Sequence, residues 1–368
     1  MKKLVLIGGG HAHMVTLAKL NEFIKRGYKV TVIGPSPHHY YSGMGPGMLS
    51  RFYTPNDIRF ATKQVVEKFG GVFIIDKAVT INPDKKTVHL EAGKPVSYDI
   101  LSCNAGSFVP TIHTGDDTDI FTVKPIERLQ AAQKRILALA AERDITVAVV
   151  GGGPSSLEIA GNIWGLVDRH CRHKTKITVF AGKSFMARFP GKIQELALRS
   201  FANRGIVLNL DGYVKETATG RITLDNGSIH AADIIFTAVG VKPSRIFADS
   251  GLPTGPDGGL LVNRFLQCTE HPEIFGGGDC IYFQESPLDK VGVYAVRENP
   301  VLYTNLLASL EGGALVPFDP GGDYLLIFNL GDGTGILHKR WLTIDGRIAF
   351  IIKDYIDRKF MRKFQAIE

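Results

Sequence analysis

Apolar positions along the chain come in short unbroken runs that end in glycine and give way to helical spacing. Residues 4–7 (Leu-Val-Leu-Ile) suffice for one buried strand. Gly8, Gly9 and Gly10 follow at once, and Met14, Leu17, Ala18 and Leu20 then recur with helical period. Strand, glycine turn and helix form the context of a dinucleotide-binding loop. Gly8 allows the tight turn, and Gly10 lets the backbone approach a pyrophosphate at the helix start. His13 holds the place of the third glycine. Helix and strand are therefore expected to pack less closely, or the imidazole to point away.

The plan repeats. Residues 147–150 are a second apolar strand, Gly151 and Gly153 are its first two glycines, and Ser156 replaces the third. Leu157, Ile159, Ala160 and Ile163 continue as a helix. A second echo joins residues 98–110 to 232–243: an acid, an apolar strand, Ala105-Gly106 or Ala238-Val-Gly240, then a proline. Gly8 lies 143 positions before Gly151, and Gly106 lies 134 before Gly240. Two features repeating at nearly one offset predict an α/β chain with two related nucleotide-binding domains.

Further elements follow from the same patterning. Residues 28–33 read as the second strand, but Gly34-Pro35-Ser36 stands where an acid would meet the adenosine ribose. Ser36 or backbone groups must then serve. Residues 38–48 form a side-chain-poor loop able to approach a flat ligand, or an ordinary surface turn. Residues 73–75 and 87–90 read as strands of a small meander around Asn82-Pro83-Asp84. A helix is expected over 126–139 and a strand over 176–180. After that strand, Lys183 and Arg188 either meet a 2′-phosphate or are plain surface residues. The strand ending in Phe275-Gly-Gly-Gly-Asp279 places one acid before a helix expected over 295–306. Asp279 is a helix cap or the partner of a sugar-like chain. Residues 312–322 read as a linker. Residues 324–328 alternate as a strand, and a helix begins at Ala349. On it Ile352, Tyr355, Ile356, Phe360 and Phe364 share a face, with Lys353, Arg358, Lys359, Arg362 and Lys363 on the others. Such a helix docks on its own protein or on a membrane surface.

Composition narrows the class. The 368 residues carry 43 basic and 36 acidic side chains, net +7, spread along the chain except near its end. That spread argues against nucleic acid. Lys2 and Lys3 precede only four apolar residues, which read as the first strand and not as a leader. No apolar run approaches the roughly 18 residues of a spanning helix. A cytoplasmic protein is expected, at most peripheral on the inner face of the membrane. Cys103, Cys171, Cys268 and Cys280 lie far apart with no C-x-x-C, so no disulfide framework is expected. His170, Cys171 and His173 at a basic helix end are a poor metal set, and no metal site is expected.

Taken together, these motifs resemble the pyridine nucleotide-disulfide oxidoreductase family of flavoproteins, with two Rossmann-like FAD/NAD(P)-binding domains and a small C-terminal α+β domain. Within it the chain is similar to type II NADH dehydrogenases and sulfide:quinone reductases. It is closer to the NADH dehydrogenase-like flavoprotein associated with selenophosphate synthetase. Gly-Gly-Gly-His-Ala-His13, Tyr41-Ser-Gly-Met44, Tyr294-Ala-Val-Arg-Glu298 and Ile352 to Met361 carry that closer likeness. The resemblance implies an FAD domain over 1–110 and 246–312, an NAD(P) domain over 111–245 and a C-terminal domain over 313–368.

It further implies FAD held by Gly8, Gly10, His11, Ser36, Tyr41, Ser42, Gly43, Ala105, Gly106, Gly278 and Asp279. NAD(P)H would be held by Gly151, Gly153, Pro154, Ser155 and Gly240. Glu158 would relay a proton, and Lys353 would polarise a quinone carbonyl or stabilise reduced flavin. The chain departs from the family in lacking its redox disulfide, since Tyr41-Ser42-Gly43 stands where that helix would begin. It also lacks the cysteine that sulfide:quinone reductases place near the second glycine motif. The implied activity is hydride transfer from NAD(P)H through FAD to a quinone or similar acceptor. The alternatives are oxidation of sulfide or a selenium compound, and a non-catalytic flavin-binding partner of selenophosphate synthetase. Implied partners are a small-molecule donor and acceptor, a membrane quinone, selenophosphate synthetase and a second copy of the chain.

Overall fold

The computed structural model describes residues 1–114 and 118–368. Strand Lys3–Ile7 is the middle of a parallel sheet ordered Ile274–Gly276, Ile100–Cys103, Lys3–Ile7, Lys29–Gly34, Val72–Ile75. Strand Ile145–Val150 is the middle of a second one, ordered Ile120–Thr122, Ile234–Thr237, Ile145–Val150, Thr175–Phe180, Val207–Asn209. The middle strands are buried along almost their whole length, as strands covered on both faces must be. Both are therefore unbroken apolar runs in sequence. The chain is α/β with two Rossmann-like sheets, and each sheet carries a three-stranded antiparallel meander.

Several local expectations change. The stretch 38–48 is not a plain loop: it holds strand His39–Tyr40, a 3-10 turn Ser42–Met44 and the start of helix Gly45–Leu49. Val72–Ile75 pairs in parallel with Lys29–Gly34 at the sheet edge, and the meander consists of Ala78–Asn82, Thr87–Leu90 and Val96–Ser97. A four-residue apolar strand does not declare its partner. The first helix is also broken: a 3-10 turn His11–His13 leads into Met14–Ala18, and Lys19 interrupts before Leu20–Lys25. His13 explains part of this. Its ring is fully buried beneath the loop, with Nδ1 2.7 Å from the Gly8 carbonyl and Nε2 2.8 Å from the Ser102 hydroxyl. Burial lowers its pKa to about 4, so it is neutral, donating from Nδ1 and accepting at Nε2. The imidazole points inward and clamps loop to sheet where a third glycine would have given bare contact.

Beyond residue 325 the chain forms an antiparallel sheet of Leu326–Asn329, Gly335–Lys339 and Leu342–Gly346, followed by helix Arg347–Gln365. The sheet docks on helix Pro154–His170 backbone to backbone. A Cβ on Gly161 would lie 2.5 Å from the Leu330 carbonyl oxygen, and one on Gly165 would lie 2.0 Å from that of Gly331. Asn162 donates to the Asn329 carbonyl at 3.2 Å, and Arg169 bridges Gly331 and Ser50 carbonyls at 3.0 and 2.8 Å.

The C-terminal helix buries Ala349, Phe350, Lys353, Asp357, Met361 and Phe364, while Tyr355 and Ile356 are 59% and 42% exposed. The face predicted from apolar spacing is thus rotated. The buried stripe includes a charged pair, Lys353 and Asp357, which apolar periodicity cannot register.

Gly161→Ala is expected to overpack this contact and destabilise the protein by about 1–3 kcal/mol, seen as a lower denaturant midpoint. Gly292→Ala, whose new Cβ would meet nothing within 4 Å, is expected to leave the midpoint in place.

Candidate functional site

The first glycine loop is pinned from the neighbouring strand. Gly8 has φ +85°, and a Cβ there would lie 2.3 Å from the Asn104 carbonyl oxygen. A Cβ on Gly10 would lie 2.1 Å from Asn104 Oδ1, and Asn104 Nδ2 donates to the Gly277 carbonyl at 2.7 Å. Asn104 therefore ties both glycine loops of the first sheet together. It sits inside the echoed stretch 98–110, but nothing in the pattern singled it out over Ala105 and Gly106. Gly106 and Gly240 match across the two sheets, each with positive φ and open space where a Cβ would be.

His11 follows Gly10 and is 8% exposed. Its Nδ1 lies 3.3 Å from Nε2 of His39, and its own Nε2 is buried with no partner. Tyr41 flanks it at a centroid distance of 5.1 Å, and Phe360 of the C-terminal helix stacks on it at 5.5 Å. Burial lowers the His11 pKa to about 4; Asp279 opposes this and Lys124 adds to it. Burial depresses His39 too, helped by His11 and Lys124. An unpartnered, buried ring nitrogen beside a loop start that no side chain caps fits a dinucleotide lying here.

Asp279 lies in the 3-10 turn Gly278–Cys280 and does not cap the following helix, Gly292–Glu311, whose N-cap is Val291. Its carboxylate accepts from Lys124 Nζ at 2.6 Å and Ser107 Oγ at 2.7 Å. Burial pushes its pKa up, but Lys124 and Ser107 outweigh that and hold it below the usual carboxylate range. Lys124 reaches it from just beyond strand Ile120–Thr122 of the second sheet, a contact that sequence reasoning missed. The Gly278 N–H donates to buried Glu298, whose pKa burial pushes up to about 7. Ser36 Oγ accepts from the His38 N–H at 3.2 Å.

At the second loop a Cβ on Gly151 would lie 2.3 Å from the Ala238 carbonyl oxygen, and Gly153 faces open space at the uncapped start of helix Pro154–His170. Pro154 is its first residue and Ser155 is exposed. Lys183 is exposed, and Arg188 pairs with Asp289 at 2.8 Å.

One turn into that helix, Glu158 meets residues from two other parts of the chain. Its Oε1 accepts from the Asn329 N–H at 2.8 Å. Lys353, 8% exposed, donates to the Gly43 carbonyl at 2.9 Å and to Asp357 Oδ2 at 2.8 Å. Tyr41 donates its phenol to Asp357 Oδ1 at 3.0 Å. Burial raises the Glu158 pKa to about 7, against the pull of Lys353 and Asn329. Burial works against the Lys353 ammonium, but Asp357 and Glu158 outweigh it and raise its pKa. Burial and Asp357 together drive the Tyr41 phenol far up, so it stays protonated. The structure thus gathers Tyr41, Gly43, Glu158 and Lys353 from distant segments and adds Asp357. The i,i+4 spacing of Lys353 and Asp357 was the available signal for that residue. A carboxyl balanced near pH 7 beside a fixed ammonium can take up or give a proton at neutral pH.

Comparison with known proteins gives one consistent result. A profile of the family described as pyridine nucleotide-disulphide oxidoreductase matches residues 2–302. The chain is 27% identical over 286 residues to the nitrite reductase (NADH) large subunit of Escherichia coli, covering 76% of the chain but only 33% of that relative. It is 23% identical to a type II NADH:quinone oxidoreductase of Staphylococcus epidermidis, covering 100% of the chain and 96% of the relative. The solved sulfide:quinone oxidoreductase of Aquifex aeolicus shares the fold, with a TM-score of 0.80 at 20% identity, covering 100% of the chain and 92% of that one. With two tandem Rossmann-like sheets and a family match over most of its length, the chain belongs to the pyridine nucleotide-disulphide oxidoreductase family.

Proposed function

We propose that this chain takes hydride from NAD(P)H onto bound FAD and passes the electrons to a quinone or similar acceptor. The observation that carries this reading is that Lys353 of the C-terminal helix donates to the Gly43 carbonyl of one glycine-loop unit while its charge acts on Glu158 of the other. FAD is assigned to the unit of residues 1–110 and 246–312, through Gly8, Gly10, His11, Ser36, Tyr41, Ser42, Gly43, Ala105, Gly106, Gly278 and Asp279. The nicotinamide dinucleotide is assigned to residues 111–245, through Gly151, Gly153, Pro154, Ser155 and Gly240. Residues 313–368 close over the flavin. When bound, the flavin supplies the two-electron chemistry that no side chain can.

The chain's own residues do the rest. Lys353 presents a fixed positive charge to a carbonyl oxygen on which negative charge develops. Asp357 and the Gly43 carbonyl hold that ammonium in place, and Tyr41 holds Asp357. Glu158, kept in register by the Asn329 N–H, delivers the proton. Full-length similarity to a type II NADH:quinone oxidoreductase supports the choice of donor and acceptor.

The C-terminal unit also supports a quinone reached from a membrane surface. Trp341, Ile348, Ile351 and Tyr355 are 88%, 66%, 62% and 59% exposed. Arg340, Arg347, Lys359, Arg362 and Lys363 are exposed beside them. Apolar side chains rimmed by basic ones suit the interface of an anionic bilayer. Among the described residues no helix is long and apolar enough to cross a membrane.

Anaerobic NADH or NADPH is expected to bleach the visible flavin band of the loaded protein. Glu158→Gln should preserve that bleaching yet cut acceptor turnover by about 100-fold or more. Because the acid form is the donor, wild-type turnover should fall as pH rises through about 7, and the Gln variant should lose that inflection. Unchanged turnover in the variant would leave Glu158 without a role in proton delivery.

Anionic phospholipid vesicles are expected to co-sediment with the protein. Ile351→Ser combined with Tyr355→Ser should weaken this about tenfold or more, given roughly 1.5–3 kcal/mol for each buried apolar side chain. No co-sedimentation at low salt would remove the membrane from the account.

A further inference from the structure

We propose that His11 and His39 form a proton-accepting clasp for the diphosphate of the flavin dinucleotide, so that binding at the first glycine loop takes up one proton. This rests on the assignment of FAD to that loop.

The argument begins with charge. A flavin dinucleotide brings two phosphate charges to a loop whose ionisable neighbours, besides the two imidazoles, are Lys124, Asp279 and Glu298, the last held by the Gly278 N–H. Lys124 is the nearby cation, and its ammonium is already paired with Asp279 at 2.6 Å. Lys353 is likewise paired, with the Asp357 carboxylate that also accepts from the Tyr41 hydroxyl, at 2.8 Å. Asp279 and Lys124 act on His11 with opposite signs, and Lys124 acts on His39. Tyr41 and Phe360, which complete the surround of His11, are neutral rings. An arriving dianion therefore draws one counter-charge from the imidazole pair.

Geometry assigns the pair a direction. The rings lie edge to face, with His39 Nε2 3.3 Å from His11 Nδ1, so one hydrogen bridges them. With that hydrogen on His39 Nε2, His11 carries its own on Nε2, the atom that is buried without a partner. That N–H is a donor awaiting an acceptor, and a phosphate oxygen accepts. The incoming proton lands on the outer nitrogen of His39, Nδ1, and its charge is relayed to His11 through the bridging hydrogen. Two imidazoliums this close would repel, so the pair takes one proton and not two. Buried neutral imidazoles become cationic only when an anion offsets the loss of hydration. Without ligand the pair stays neutral, and with ligand it holds a charge-assisted hydrogen bond.

Linkage fixes the sign. If the pair's pKa is higher in the complex than in the free protein, affinity is greatest at low pH and falls as pH rises between the two values.

The test is calorimetric titration of the flavin-free full-length protein with FAD, in two buffers of different ionisation enthalpy. Close to one proton should be taken up at mildly acidic pH, and Kd should rise about tenfold from pH 5 to pH 6, levelling off only above the pH at which the loaded pair loses its proton. His39→Gln retains an N–H toward His11 but cannot take a proton. It should bind FAD with the proton uptake abolished and the pH dependence flattened. Imidazole nitrogen NMR of loaded wild-type protein gives the same information without any substitution: one imidazolium at pH 6 is expected. Tight FAD binding with identical heats in both buffers, or two neutral rings in the loaded protein, would overturn the clasp and leave the flavin assignment standing. A folded protein that binds no FAD at any pH would overturn that assignment, and the clasp with it.

Discussion

A lysine ammonium that is 8% exposed is the most demanding group in this structure. Removing a charge from water costs several kcal/mol unless partners replace the lost hydration. Lys353 has two, the Gly43 carbonyl and the Asp357 carboxylate, and it faces Glu158 as a third group. Each comes from a different place: the Ser42–Met44 turn of the first unit, the following turn of its own helix, and the first turns of the second unit's helix. Lys353 can stay charged only if all of these remain assembled. The C-terminal helix is thereby fixed in orientation by this charge together with the buried Ala349, Phe350, Met361 and Phe364. Loss of Asp357 alone would leave a buried charge uncompensated, a situation that costs about 3–5 kcal/mol in comparable cases.

That assembly depends on close backbone contact elsewhere. Gly161 and Gly165 let the Leu330–Gly331 backbone lie directly against helix Pro154–His170, within reach of no side chain larger than hydrogen. The same approach brings the Asn329 N–H onto Glu158. Packing and chemistry are one feature here: the glycines that allow docking also set the position of the carboxyl. Burial then raises the carboxyl's proton affinity, and the neighbouring ammonium limits the rise, so the group is balanced near neutrality. His11, His39, Asp279 and Lys124 form a second polar cluster at the first glycine loop, and Tyr41 touches both sets, its ring near His11 and its hydroxyl on Asp357.

Much of the architecture is legible in the sequence because parallel strands covered on both faces must be apolar throughout. Residues 4–7 and 147–150 announce themselves for that reason, and the glycines after them fix the loops. The linear pattern loses information where a residue's partner is remote. Val72–Ile75 reads as a strand but not as the neighbour of Lys29–Gly34. His13 reads as a broken glycine motif, whereas it is a clamp between Gly8 and Ser102. The C-terminal helix is mis-phased by apolar spacing because its inner face carries Lys353 and Asp357. In the candidate site, Tyr41, Gly43, Glu158 and Lys353 are named through motifs that carry the family resemblance, and the fold brings them together. Asn104, Lys124 and His39 are not, since each acts on a group that only folding brings near, and Asp357 is passed over although its i,i+4 spacing from Lys353 is visible in the sequence.

The central claim is that burial and Lys353 together place the Glu158 proton near neutrality. The most direct measurement is a carbon-13 titration of the Glu158 carboxyl in folded protein, with Lys353→Met alongside. The account predicts a midpoint close to 7 in the wild type, moving upward when the ammonium that favours the carboxylate is removed. A Glu158 that titrates in the ordinary glutamate range near 4.5, and does so whether or not Lys353 is present, would contradict it.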